Sequence, residues 1–273
     1  MNPEPFVRFK QKDAIKLICE IDLNLLLPTP TERKRFEEKW QAFLTSDESN
    51  SKIFNLDKKI LSYQSEQLIP KKTDHRPALL LVLGNPASHS VHAGMFFAFE
   101  GDQKEHRFWK TILRKSGILD LQNYEGVPVE EMNSLRKQEL LDVGYSGPFR
   151  VGLCVFISMP SAPGGKWGGI AGVQRLIGVK ALRRLEIEES RRVRQCAEEF
   201  LGRGGKAIIF QKNAWNALRS GGDPPYKIEE ARAGTLKGRL KDVPGIEILG
   251  VPPTRLAGPC QLVLKTIAMN PQL

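Results

Sequence analysis

Continuous apolar runs separated by glycine, proline and polar residues dominate the chain after residue 76. The clearest run is Ala78–Leu83, which ends at Gly84. Apolar runs of this length are typical of strands that are buried on both faces, as in parallel sheets. Three further runs predict strands at residues 150–158, 206–210 and 246–249.

Helical patterns alternate with these strands. They predict helices at Phe108–Lys115, closed by Gly117, at Val179–Leu201, from Asn213 onward and at residues 261–269. Alternation of this kind predicts an α/β fold class, with three layers (α/β/α) around a central parallel four-stranded sheet. Because ligands of such sheets bind beside the carboxyl ends of the strands, we expect a site in the loops that follow the four strands.

Residues 1–76 have a different pattern. Pro30 to Leu44 contains Phe36, Trp40 and Phe43 at helical spacing, with Glu32 near its start. A second helix is predicted at about 56–68, before a linker at 70–74. We therefore predict a helical N-terminal extension over 1–76, packed on a main domain over 77–273. The alternative is a mobile regulatory arm.

Charge adds a candidate partner. The net charge is +10, and residues 161–273 hold 19 Lys and Arg against 10 Asp and Glu. An asymmetric positive field attracts polyanions, most commonly nucleic acid, although the chain could simply be basic. Four widely spaced cysteines indicate neither disulfides nor zinc, and the absence of a signal segment or a long apolar run predicts a soluble cytoplasmic protein.

Residues 81–119 combine several elements in a recognisable order. Asn85-Pro86 follows the first strand, Phe97-Ala98 comes next, and Arg107–Lys110 opens a helix that ends at Gly117. This order resembles the first motif of the mismatch-specific branch of the uracil-DNA glycosylase superfamily. The resemblance continues in 206–217, where Gln211 replaces a glycine of that family. It extends to 246–256, where Val251 replaces a histidine or asparagine and Pro253 a serine.

The resemblance implies a monofunctional DNA glycosylase that leaves an abasic site, without metal or organic cofactor. Asn85 would position the attacking water, although an Asn-Pro pair also simply ends strands. Phe97 would stack on the flipped base, unless its ring belongs to the core. Ala87 stands where the uracil-specific branch has tyrosine, so 5-substituted pyrimidines would fit. His89 and His92 would replace the donor missing at Val251, or else lie on the surface.

The other predicted contacts come from the same loops. Gly84, Pro86, Ser158, Gln211 and Val251 would line the substrate pocket. Contacts to double-stranded DNA would come from Lys166 and Trp167 in a Gly-rich loop, although that loop could also be a flexible connection. Further contacts would come from Lys212, Asn213, Thr254, Arg255 and Leu256. Arg255 or Leu256 would wedge into the helix as the base leaves.

Four predictions of function follow from the sequence. The favoured one is a hypermodified pyrimidine such as glucosylated hydroxymethylcytosine in phage DNA, which implies antiviral defence. The others are repair of uracil or thymine mismatches, and a non-catalytic DNA-binding module of the same fold; a nucleotide- or sugar-phosphate-binding α/β protein is a further rival. We expect a monomer with no membrane contact.

Overall fold

The computed structural model of the protein describes residues 5–122, 124, 126–202 and 204–271. It is a mixed α/β structure. The strands are β1 (Val7–Gln11), β2 (Lys16–Asp22), β3 (Phe54–Asp57), β4 (Ile60–Leu68), β5 (Ala78–Leu83), β6 (Arg150–Val155), β7 (Lys206–Ile209), β8 (Lys237–Arg239) and β9 (Glu247–Gly250).

Helices lie between and after these strands. A π-helical segment, Phe108–Leu113, leads directly into α5, and a 3-10 turn covers Gly165–Trp167. The α-helices are α1 (Leu23–Leu26), α2 (Pro30–Leu44), α3 (Asn50–Ile53), α4 (Ser88–Ala93), α5 (Arg114–Ser116), α6 (Val129–Asp142), α7 (Gly169–Ile177), α8 (Val179–Leu201), α9 (Lys212–Leu218), α10 (Ile228–Ala233) and α11 (Ala257–Met269).

The chain divides into two compact units that interleave along the sequence. The first unit comprises Met1–Gln67, Gly84–Phe96 and Val155–Arg192. The second comprises Leu68–Leu83, Phe97–Cys154 and Val193–Leu273. Neither unit coincides with residues 1–76 or with residues 77–273, and the segment up to Gln67 shares its unit with the loop that contains Asn85.

An antiparallel sheet forms much of the first unit. Strand β1 pairs with β2, β2 pairs with β4, and β4 pairs with β3. The predicted helix at 56–68 is therefore wrong, because these residues form β3 and β4, joined by a tight turn between Asp57 and Ile60. Leu61, Tyr63 and Ser65 are buried at every second position, as a strand requires.

The helix predicted from Pro30 to Leu44 is confirmed as α2. Thr29 caps it: its hydroxyl accepts the Glu32 N–H while the Glu32 carboxylate accepts the Thr29 N–H. Phe36 and Phe43 are buried, and Trp40 stacks on both rings. The N-terminal extension is thus part helix and part sheet, rather than helical throughout.

The second unit is α/β, but its sheet has five strands instead of the predicted four and is not wholly parallel. Strands β5, β7 and β9 are parallel to one another, and β8 joins the edge in the antiparallel sense. The order is β6-β5-β7-β9-β8. The four predicted strands are confirmed with small shifts in their bounds; the second ends at Val155 instead of Ser158. The carboxyl ends of β5, β7 and β9 therefore share one edge of this sheet.

Within the described residues, Cys19, Cys154, Cys196 and Cys260 are all buried and unbridged. The described helices include none with the length and apolar character needed to cross a bilayer.

Candidate functional site

The loop after β5 is fixed by the segment that follows β6. The carbonyl of Gly84 accepts a hydrogen bond from the Phe156 N–H at 2.9 Å. Ser161 binds the same loop twice: its N–H donates to the Pro86 carbonyl at 3.1 Å, and its carbonyl accepts from the Ser88 N–H at 2.9 Å. Buried backbone groups need such partners, so the two segments form a rigid pair around Asn85.

Asn85 points its amide nitrogen into this segment. Nδ2 donates to the Ser161 hydroxyl at 2.9 Å and lies 3.4 Å from the Met159 carbonyl oxygen. The Ser161 hydroxyl in turn donates to the Ala162 carbonyl at 3.3 Å, so its oxygen is left to accept from Asn85. No donor among the described residues binds Oδ1. The half-buried side chain thus offers a fixed acceptor, which suits a bound water.

Helix α4 begins directly after this loop and carries both predicted histidines. Its first residue, Ser88, donates from its hydroxyl to Asn50 Oδ1 at 2.5 Å, and Asn50 Nδ2 donates to the Phe43 carbonyl at 2.8 Å. His89 is half-buried and His92 is exposed. In the described parts of the chain, no three His, Cys, Asp or Glu side chains are arranged to hold a metal ion.

Two predicted contact residues prove to be buried. Ser158 is 0% exposed, and its hydroxyl binds Tyr63 and Glu189 instead of facing an open pocket. Trp167 is 7% exposed and packs edge-on against Phe43, with ring centroids 5.8 Å apart. Both predictions are therefore corrected, because side chains enclosed in this way offer little or no surface to substrate or DNA.

The other residues of these loops divide by exposure. Gly84 and Pro86 are buried, and Ala87 is half-buried immediately before α4. Lys166 is exposed, with Nζ 5.5 Å from the centroid of the Trp167 ring. Lys166 therefore remains accessible to a polyanion, whereas the tryptophan beneath it belongs to the core.

Phe97, in the second unit, has an unusual backbone conformation. Its φ is +48°, which is uncommon for a bulky residue and costs of order 1–3 kcal/mol. Its ring stacks on Phe108 with centroids 4.2 Å apart and lies 4.8 Å from the His106 ring. Trp109 Nε1 donates to the Phe97 carbonyl at 3.2 Å. The surrounding π-helical segment thus holds a strained, half-exposed aromatic ring in place, a combination typical of functional positions.

A cleft of about 750 Å³ in the second unit brings together four residues that the sequence predicts as contacts. Sequence reasoning did not predict the other five as contacts. Four of them lie in or just before α10 and have the composition of an ordinary surface helix, and the fifth is a proline after β9. The four predicted residues are Gln211, Lys212, Thr254 and Arg255, and the others are Tyr226, Lys227, Ile228, Glu229 and Pro253. Three cations at one cleft favour an anionic partner.

Two further predicted DNA contacts lie outside this lining. Asn213 is exposed on α9, and Leu256 is half-buried directly before α11.

The segment after β9 offers few hydrogen-bond donors. Val251 is 0% exposed, its N–H donates to the Ile209 carbonyl at 3.0 Å, and its carbonyl accepts from the Tyr226 hydroxyl at 3.0 Å. Pro252 and Pro253 have no N–H. Val251 lines a small, mainly apolar cavity together with Leu249, Val263 and Ile267. A substrate contact at Val251 stays a prediction, and its valine side chain offers no hydrogen-bond donor to a leaving base.

Comparison with models of known protein families gives no match to this chain, and no curated protein matches it significantly. Its function is therefore inferred from its own residues and their geometry.

Proposed function

We propose that the chain is a monofunctional DNA glycosylase with a three-layer α/β/α fold like that of the uracil-DNA glycosylases. It hydrolyses the N-glycosidic bond of a flipped-out modified pyrimidine and leaves an abasic site. The observation that carries this proposal is the orientation of Asn85, whose amide nitrogen is anchored by Ser161 while its oxygen has no donor among the described residues. Parallel strands β5, β7 and β9 give further support.

The chemistry fits an amide at this position. Departure of the base makes the sugar resemble an oxocarbenium ion, and a water placed by Asn85 Oδ1 attacks the anomeric carbon. An amide is no base, so the rate depends on binding, on distortion of the extruded nucleotide and on placement of the water. Stacking of the flipped base on Phe97 stays a prediction from the resemblance.

The proposed substrate follows from Ala87. A methyl side chain at this half-buried position leaves room for a substituent at the pyrimidine 5-position. Glucosylated hydroxymethylcytosine in phage DNA is such a base, and excision of it is an antiviral activity.

The test is formation of abasic sites. Purified protein is incubated with phage DNA whose cytosines are glucosylated, hydroxymethylated or unmodified, and alkali then converts abasic sites to nicks. We expect nicks in the glucosylated DNA. Nicks only in DNA with uracil or mismatched thymine would instead favour the repair function, and binding without nicks on every DNA would overturn the glycosylase proposal.

Changing Ala87 to tyrosine tests the choice of base. The larger side chain should occupy the space for the 5-substituent, so excision of the bulky base should fall at least tenfold, on the order of what one or two kcal/mol of steric conflict produces. Excision of any uracil that the wild type accepts should change less. Ala93→Tyr, at an exposed position of α4, is the matched control. Equal losses on both bases would contradict this account of Ala87.

A non-catalytic DNA-binding module is the second candidate. It is favoured by the segment Val251–Pro253, which provides no donor for a leaving base. The two candidates share the DNA partner and differ only in the formation of nicks.

Either candidate predicts phosphate contacts from the cleft in the second unit. Arg255→Ala should weaken DNA binding about equally for all sequences and reduce the slope of log K against log salt by about 1. Arg183→Ala, which removes an exposed arginine from α8, is the control and should leave that slope unchanged. Fluorescence anisotropy across a salt series measures both. An unchanged slope in Arg255→Ala would exclude a phosphate contact there.

A further inference from the structure

A buried polar network in the first unit surrounds the start of the segment that binds Asn85. The Glu189 carboxylate, on α8, accepts the Ser158 N–H at 2.7 Å and also the Ser158 hydroxyl. Its other oxygen accepts from Arg192 Nε at 2.8 Å. Tyr63, on β4, has its hydroxyl 2.9 Å from the Ser158 oxygen. All four side chains are buried, so the network is shielded from competing water.

The direction of these hydrogen bonds is set by the chemistry of the groups. A carboxylate only accepts, so the Ser158 hydroxyl donates to Glu189 and its oxygen accepts from Tyr63. Burial raises the pKa of Tyr63 well above its usual value, which keeps this donor protonated. Burial also raises the pKa of the neighbouring Cys19 to about 12, so that thiol stays neutral.

Arg192 extends the network to the backbone and to the N-terminal strands. One terminal nitrogen donates to the carbonyl of Val155, and the other donates to Gln67 Oε1 at 2.8 Å. The guanidinium also lies 5.4 Å from the centre of the Phe9 ring. Strands of the first 67 residues, helix α8 and the end of β6 are thus connected through one buried ion pair.

We propose that Ser161, Ser158, Glu189 and Tyr63 are positioning residues for Asn85, an inference that rests on the proposed function. Glu189 and Tyr63 fix Ser158, and the same short segment then presents the Met159 carbonyl and the Ser161 hydroxyl to the Asn85 amide. Residues 1–67 therefore serve the catalytic loop directly, through Tyr63 at one end of the segment and through Asn50, which binds Ser88.

The acceptors beside Asn85 set the orientation of its side-chain amide. The Met159 carbonyl oxygen can only accept, and the Ser161 hydroxyl gives its proton to the Ala162 carbonyl, so both favour Nδ2 on their side and turn Oδ1 away from them. Loss of the Ser161 hydroxyl removes the shorter of these two bonds. The Asn85 amide can then rotate, and the water that it places loses its fixed position. Misplacement on this scale slows a reaction without preventing substrate binding.

Three variants and one control test the proposal. Ser161→Ala removes the direct anchor, Ser161→Thr keeps a hydroxyl, and Tyr63→Phe removes one distant hydroxyl from the network. Tyr145→Phe is the matched control, because Tyr145 is also buried and its hydroxyl accepts the Val151 N–H in the second unit. The first measurement is the side-chain amide NMR resonance of Asn85, identified by its absence in Asn85→Ala. The second is the single-turnover rate of base excision.

We expect Ser161→Ala and Tyr63→Phe to shift the Asn85 amide resonance and to lower the excision rate about tenfold and about threefold, on the order of one lost hydrogen bond or part of one. DNA binding should stay unchanged, Ser161→Thr should restore both signals, and Tyr145→Phe should shift neither. An unmoved resonance in Ser161→Ala would overturn the positioning role whatever the rates. A shifted resonance in a protein whose wild type makes no abasic sites would uphold the positioning and overturn the proposed function instead.

Discussion

Asn85→Ala should lower the single-turnover rate of base excision by about 100-fold or more while the protein still binds its DNA. Loss of one placed polar group at a reacting centre typically costs on the order of 10²–10³ in rate. The half-buried side chain is bound through Nδ2 to Ser161, and removal of the whole amide eliminates the only group that the proposal assigns to the water. The rate is measured with enzyme in excess over end-labelled DNA. The reaction is stopped by rapid quenching at a series of times, and alkali then converts the abasic sites to nicks.

Asn270→Ala is a suitable control for this experiment. It removes an asparagine amide from an exposed position after α11, where Nδ2 donates to the Thr266 carbonyl. Its excision rate should equal that of the wild type. An Asn85→Ala enzyme as fast as the control would contradict the role of Asn85 and shift the search for the catalytic group to His89.

The parallel strands could be predicted from the sequence because a strand that is buried on both faces is a continuous run of apolar residues. Ala78–Leu83 and residues 206–210 are nearly continuous apolar runs, and both form strands of the second unit. Helix α8 was predicted with its observed bounds, because its apolar positions recur at helical spacing over 23 residues. Long periodic segments of this kind leave little room for another structure.

The hairpin of β3 and β4 was missed for a specific reason. Leu56, Ile60 and Leu68 have spacings that suit one face of a helix. Ser65 and Glu66 are buried on opposite faces of β4, and these buried polar residues hide the alternation of a strand. The structure of this segment is decided by the pairing of β4 with β2 and β3. Pairing between distant segments leaves no local signal in the sequence.

The sequence predicts Asn85 as the central residue of the site, but not the residues around it. Asn85 was singled out because the order of elements from residue 81 to residue 119 resembles a glycosylase motif. Its partner Ser161 is 76 positions away along the chain, in a Gly- and Pro-rich segment that predicts only a loop. Burial of Trp167 against Phe43 was hidden for the same reason, since a tryptophan between glycines has the composition of an exposed contact.

Glu66 makes a second large effect predictable, on stability rather than on rate. The side chain lies on β4, is 3% exposed, and its Oε2 has no hydrogen-bond partner among the described residues. Burial raises the pKa of this carboxyl from 4.5 to about 8. The folded protein therefore holds a proton at neutral pH that the unfolded chain releases. An unpaired carboxylate in this position would cost far more than the neutral acid.

The sign of the pH dependence follows from linkage. Between pH 4.5 and about 8 the folded state binds more protons than the unfolded state, so the free energy of unfolding falls as pH rises. At about 1.4 kcal/mol per pH unit, the loss amounts to roughly 4 kcal/mol by pH 8, and it stops growing above that pH. Glu66→Gln keeps the shape without the ionisation, so this fall should be absent from its profile.

Urea unfolding of wild type and Glu66→Gln at a series of pH values from 5 to 9 measures the difference. The two free energies of unfolding should diverge steadily up to about pH 8, with the variant the more stable at the alkaline end. Glu20→Gln removes the same charge from an exposed position of β2 and should give a profile parallel to that of wild type. Parallel profiles for Glu66→Gln and wild type would mean that Glu66 ionises in the folded protein as it does in the unfolded chain. In that case β4 must open to water beside the network that holds Ser158.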